Sequence, residues 1–403
     1  MAFFINGQNL FYNFSRSILD NTYDYNPLAT LTATIPITAL STSSSGSPIT
    51  PAACVSIGNG RVVVGQQYAN TGGSVTIYSI TGTVLNTIIS PTSGARFGTS
   101  VAVGSGLIVV GAPGYSTSAG AGYVYDLNGN LKFSLTTSGI AAYSALGTSV
   151  AIGKNTIVLG APSGGISSEG ITQIYNTAGT YISQLKGSNI TGSAYKGLGT
   201  VVAVGCGLVV ASAPSYGLGQ VYLFDLTGCN NTTSGTGTKS LAFKQGTFFT
   251  DTAYGWNVAV GNGRIVIGAA TPSTYTTIPP YPSAYNTGTI YIYDLNCNLL
   301  NTVINPIGGA HDHFSYALAI GSNIIVVGAF GTNNFSGAVH LFDISGVLQQ
   351  TLYDPSGLPY QYFGINVAIN AGYLAVTTLN KCYIYKLNST IEGYYENFDE
   401  FTY

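Results

Sequence analysis

The chain has 403 residues and a formal net charge of −2, and 6% of its residues are charged; so few cations argue against a phosphate-binding surface, and nucleic acid is excluded as an expected partner. No apolar run reaches the roughly 18 residues that a membrane-spanning helix needs. Solubility must therefore come from Ser, Thr, Asn and Gly on loops and outer strands.

Residues 1–27 carry Phe3, Phe4, Phe11, Tyr12, Phe14, Tyr23 and Tyr25 against Arg16, Asp20 and Asp24 as charges. Leaving that aromatic surface in water would cost roughly 25 cal/mol per Å2. The segment is therefore expected to dock on the outside of its own domain or on another subunit, and these seven rings are the candidate assembly contacts. It lacks the basic start of a secretory leader. Leu28 to Ala39 alternates and reads as an outer strand that has lost its blade, and the polar run Ser41 to Thr50 reads as a link.

From there the chain repeats. The clearest unit starts at Phe97: FGTSVAVGSGLIVVGAP, a loop, then GYVYDL, a turn, and NLKFSL. Ser100 to Gly104 is a strand, Ser105-Gly106 a tight turn, and Leu107 to Ala112 a nearly unbroken apolar strand expected to be buried on both faces. Gly122 to Leu127 and Asn130 to Leu135 follow as strands three and four. Further copies begin near Pro51, Leu146, Leu198, Tyr254, Phe314 and Phe363, at spacings of roughly 46 to 60 residues, which marks a repeat architecture. Seven units of four antiparallel strands predict a seven-bladed all-β propeller over residues 28–390. The last unit lacks its own fourth strand, and residues 28–39 are expected to supply it, closing the ring and covering an open edge. Residues 391–403 are an acidic, aromatic tail expected to leave the ring beside residues 1–27.

The runs FG-x-SVA-x-G, VVGAP and G-x-V-Y resemble the FG-GAP repeats of integrin-type β-propellers over roughly residues 51–386. The resemblance implies an interaction platform. It departs from the family at the first turn of each unit, where calcium-binding members carry a D-x-D-x-D-G-like loop; here the turns read GNGR, GSG, GKN, GCG, GNGR, GSN and NAG, so neither metal nor other cofactor is expected.

Strand order places the two-to-three loops and the entries to strand one on one face. That face receives Arg96, Tyr143, His311, Asp312, His313 and the long loop of the fifth unit with Tyr275, Tyr281 and Tyr285. Tyr275, Tyr281, Tyr285, Arg96, His311 and His313 are the candidate ligand-binding residues, because rings can stack on sugars or anchor a protein partner. In an extended His311-Asp312-His313 the two imidazoles would point the same way, but with no third ligand identifiable the segment reads as polar lining of a junction. His340 reads as a satisfied structural group. Asp126, Asp225, Asp294 and Asp343 recur at the end of strand three and are expected to accept hydrogen bonds from the next turn. No pair of carboxylates, nucleophile elbow or phosphate loop stands out, so no enzyme is expected. The five cysteines show no framework.

Two functions remain. One is a structural component displayed on a virion or extracellular assembly, with other structural subunits as partners and residues 1–27 as anchor. The other is a binding module that recognises a cell-surface glycan or receptor.

Overall fold

In a computed structural model the described residues are 27–37, 53–136, 141–165, 168–186, 197–214, 219–226, 240–245, 254–269, 288–307 and 311–388. They form seven four-stranded antiparallel sheets. Six sheets run in sequence order from an inner to an outer strand, the seventh taking its outer strand from the start of the chain, and each inner strand packs on the inner strand of the next sheet, with Asn366–Asn370 meeting Cys54–Gly58. The chain is a seven-bladed β-propeller, as the repeat predicts. The second blade shows the plan: Ser100–Gly104, Leu107–Ala112, Ala121–Asp126 and Leu131–Leu135. Its second strand is buried along almost its whole length because sheets cover both of its faces.

The ring is closed by Ala29–Pro36, which pairs antiparallel with Lys381–Leu387 as the outer strand of the seventh blade. Ile35 and Ile37 are buried there with Ile384. The described chain begins and ends at one point: the Asn388 backbone N–H donates to Leu28 O at 2.8 Å and its Nδ2 to Pro27 O at 2.6 Å. Residues 1–26 and 389–403, and with them the seven candidate anchor rings, lie outside the described residues.

The repeated residues build the seams. Phe97, Leu146, Leu198, Phe314 and Phe363 are fully buried, and Tyr254 is 1% exposed. Where the residue is aromatic, it packs within its own blade against the paired side chains of strand three. Phe97 meets Tyr123 and Tyr125 edge-on at 5.6 and 6.1 Å, and Phe363 meets Tyr383 and Tyr385 at 5.7 and 6.5 Å. Behind these side chains, aromatic or leucine, a glycine of the preceding blade makes room. Gly73, Gly120, Gly170 and Gly337 form parallel bridges to Phe97, Leu146, Leu198 and Phe363, and all four have positive φ. A Cβ on Gly337 would sit 2.1 Å from Phe363 O, so no other residue fits.

Small polar groups then stitch inner strands together. Ser100 Oγ donates to Gly147 O, Cys54 Sγ to Gly98 O and Asn257 Nδ2 to Tyr316 O; Asn366 Nδ2 donates to Ala53 O across the closing seam. On the opposite face the first turns at Asn59-Gly60, Ser105-Gly106, Cys206-Gly207, Asn262-Gly263, Ser322-Asn323 and Ala371-Gly372 have positive φ at both residues, the mirror-image hairpin that suits twisted strands. The aspartates of strand three behave as the repeat suggests. Asp126 Oδ1 accepts from the backbone N–H groups of Asn128 and Asn130, Asp294 Oδ1 from Asn296 and Asn298, and Asp343 Oδ1 from Ser345 and Val347. The turn that follows Asp225 lies outside the described residues.

Candidate functional site

Because the consensus residues are consumed by seams, positions where a blade departs from the consensus are the informative ones. Several that introduce rings lie in blades 5 and 6 and at the entry to blade 7. Where blades 2, 3 and 4 place Thr99, Thr148 and Thr200, each hydroxyl donating to a backbone carbonyl three residues back, blades 5 and 6 place Trp256 and Tyr316. Where blade 2 ends its second strand in Gly-Ala-Pro with Pro113, blade 6 has Phe330.

These residues form one row of rings on the loop-bearing face. Trp256 meets Tyr316 at 5.8 Å, and Tyr316 meets Phe330 edge-on at 4.6 Å. His313 stacks on Phe330 at 4.4 Å with planes 11° apart. Phe330 lies 6.4 Å from Phe335 and 5.8 Å from Tyr362, and Phe335 lies 6.3 Å from Tyr360 with planes 15° apart. Burial decreases along the row, from Phe330 at 9% exposed to Tyr360 at 62%.

Two loops hold the outer end of the row. Asn333, Asn334 and Phe335 all have left-handed φ, between 51° and 59°. Three such residues in succession are costly for L-amino acids, about 1–2 kcal/mol each. What sustains them is the next blade: Tyr360, Tyr362 and Phe363 donate their N–H groups to the carbonyls of Asn334, Phe335 and Ser336 at 3.2, 2.8 and 3.0 Å. Tyr360 and Tyr362 also have positive φ, 59° each.

The sequence candidates fare differently. His313 belongs to the row; burial, with a smaller contribution from His311, brings its imidazole down to about 4, so it is neutral at physiological pH. The expectation that His311-Asp312-His313 would be polar lining holds only for Asp312, which is buried and accepts a hydrogen bond from Asn305 Nδ2 at 2.7 Å. Nor is the segment extended. Both histidines are left-handed, with φ of 68° and 54°, so His311 is exposed while His313 stacks inward. Among the described residues no group of three or more His, Cys, Asp or Glu is placed to hold a metal. Arg96 is exposed at the seam of blades 1 and 2, a different seam from that of the histidines. Tyr275, Tyr281 and Tyr285 lie outside the described residues.

His340 corrects another expectation. Its Nδ1 lies 3.0 Å from Thr351 Oγ1, but the buried Nε2 has no hydrogen-bond partner. Burial lowers its pKa to about 4. It occupies the place that a tyrosine holds in strand three of blades 2 and 5, packing at 5.6 Å on Phe314. Cys54, Cys206, Cys297 and Cys382 are unbridged. A small cleft at the closing seam is lined by Ala53, Cys54, Gly65, Gln67, Gly98, Thr99 and Asn366. Burial pushes the Cys54 thiol up to about 12, far from the thiolate a nucleophile requires.

Sequence reasoning missed Trp256, Tyr316, Phe330, Phe335, Tyr360 and Tyr362 as a group. The signal that would have found them is departure from the repeat. A search of protein-family models found no match to this chain, and a search of curated proteins found none.

Proposed function

We propose that this chain is a non-enzymatic interaction module of the FG-GAP type, displayed on a virion or extracellular assembly, with its loop face turned toward a partner and residues 1–27 as its anchor to other structural subunits. The observation that carries this reading is the aromatic row, which accumulates where the repeat does not require rings and opens to solvent at Tyr360. Exposed aromatics joined to a buried row are the composition of recognition surfaces. The seam at Pro27 and Asn388 supports the anchor, since the described chain begins and ends at one point, where the outer and third strands of blade 7 meet. A catalytic role for the recurrent carboxylates is disfavoured because Asp126, Asp294 and Asp343 are engaged by their turns.

Deletion of residues 2–26 tests the anchor. The truncated chain is expected to stay folded and soluble but no longer join the particle or oligomer that the full chain enters, as read by sedimentation velocity. If the full chain is monomeric at high concentration, or if the truncated chain still assembles, the anchored reading fails and a free glycan- or receptor-binding module takes its place.

A further inference from the structure

The molecule contains its own control for the aromatic row. The junction of blades 2 and 3 repeats the backbone of the junction of blades 6 and 7. Ser116, Thr117 and Ser118 are left-handed like Asn333, Asn334 and Phe335, and Tyr143 and Ala145 are left-handed like Tyr360 and Tyr362. The same three hydrogen bonds recur, from Tyr143, Ala145 and Leu146 to Thr117, Ser118 and Ala119 at 3.2, 2.9 and 3.0 Å. Yet this junction is built with Pro113, Ser118 and Ala145 where the other has Phe330, Phe335 and Tyr362. The backbone therefore does not require those three rings. Of these added rings Phe330 is buried, but Phe335 and Tyr362 are left partly in water on a scaffold that forms without them, an expense that binding would offset.

We propose that Phe335, Tyr360 and Tyr362 form a platform that binds a neutral saccharide by stacking, a reading that rests on the loop face being a recognition surface. The geometry suits a pyranose ring. Phe335 and Tyr360 are within 15° of parallel at 6.3 Å, and Tyr362 lies 5.4 Å from Phe335 with planes 35° apart. The proposed contact is stacking of the axial C–H groups of a sugar on these rings, of which Tyr360 is exposed and Phe335 and Tyr362 partly so, with the exposed amides of Asn333 and Asn334 as donors and acceptors for hydroxyls. The amides of Asn333 and Asn334 and the phenol of Tyr360 carry no charge. Leu358, exposed in the same loop, is apolar, and the histidine of the row, His313, is neutral at physiological pH. An anionic sugar would call for a cation, and Arg96 stands at another seam.

Trp256 supplies the assay. It is the one tryptophan of the chain and joins the platform through Tyr316 and Phe330. The full chain is titrated with cello-, chito-, manno- and galacto-hexaose and, separately, with a proline-rich peptide, following Trp256 fluorescence, with an array of immobilised neutral glycans in parallel. At least one neutral glycan is expected to bind and to perturb Trp256. Phe335→Ala and Tyr360→Ala are expected to weaken it about tenfold, equivalent to roughly 1.4 kcal/mol. Tyr143→Ala, which removes the exposed tyrosine at the equivalent position of the other junction, should leave binding unchanged. Phe335→Leu, which keeps apolar bulk, should retain the melting temperature and still lose affinity. Binding of the peptide with all glycans silent would overturn the saccharide proposal and leave the recognition reading standing. Silence of every probe would overturn both, as would a glycan whose affinity is indifferent to Phe335 and Tyr360 for the platform itself.

Discussion

Glycine at the blade seam offers a quantitative test of how the ring is held. Gly337 and Gly106 both have positive φ, 93° and 72°. A Cβ at Gly106 would meet nothing within 4 Å, whereas at Gly337 it would lie 2.1 Å from Phe363 O and 2.5 Å from Phe363 N. Gly106→Ala therefore measures backbone strain alone, about 1–2 kcal/mol. Gly337→Ala adds a collision between two backbones that can be relieved only if blades 6 and 7 move apart by about 1 Å, loosening the packing around Phe363. Overpacking of this kind costs about 1–3 kcal/mol, so Gly337→Ala should destabilise by about 2–5 kcal/mol in all, more than Gly106→Ala by the overpacking alone. With unfolding entropy near 2.1 cal/mol/K per residue, 1 kcal/mol shifts the melting temperature of a chain this long by about 1 °C. Urea unfolding is the better assay, because its midpoint resolves the pair at constant temperature. Equal losses for the two variants would refute the claim that close backbone approach, rather than dihedral strain, makes the seam glycine necessary.

Three further outcomes follow from the structure. His340 is buried with its pKa near 4 instead of 6.5, so unfolding lets it take up a proton first; stability is complete above about pH 6.5 and falls by about 3 kcal/mol as the pH drops to about 4. His313, lowered to about 4 in the same way, adds a slope over the same range, so His340→Gln should reduce the total slope in urea titrations without abolishing it, and an unchanged slope would contradict the assignment. A calcium chelator should leave the melting temperature unchanged, since the described first-turn positions at Asn59-Gly60, Ser105-Gly106 and Asn262-Gly263 present no carboxylate; a drop of several degrees would show a metal bound elsewhere. Removing residues 1–37, which include Ala29–Pro36, uncovers the edge of Lys381–Leu387, and size-exclusion chromatography should show self-association that the 2–26 deletion lacks. Equal behaviour of the two truncations would mean that the closing strand does not protect the ring.

The sequence alone determined the blade count, the strand order within each blade and the closing role of Ala29–Pro36, because these depend on local periodicity, Gly-containing turns and a repeat length that every unit shares. It also showed why Asp126, Asp294 and Asp343 recur, since an acceptor and the N–H groups of its own turn are neighbours in the chain. Tertiary structure decided what the repeated residues are for: Gly337 meets Phe363, and Asn366 reaches Ala53, only once successive blades are stacked in a ring. It likewise imposed left-handed φ on Ser116 to Ser118 and Asn333 to Phe335, residues with no intrinsic preference strong enough to announce it, because the carbonyls so presented are taken up by N–H groups of the following blade. The aromatic row belongs to the same class. Trp256, Tyr316, Phe330, Phe335 and Tyr362 come from three successive blades, and their proximity is set by the angle between sheets, which no spacing along a single strand encodes.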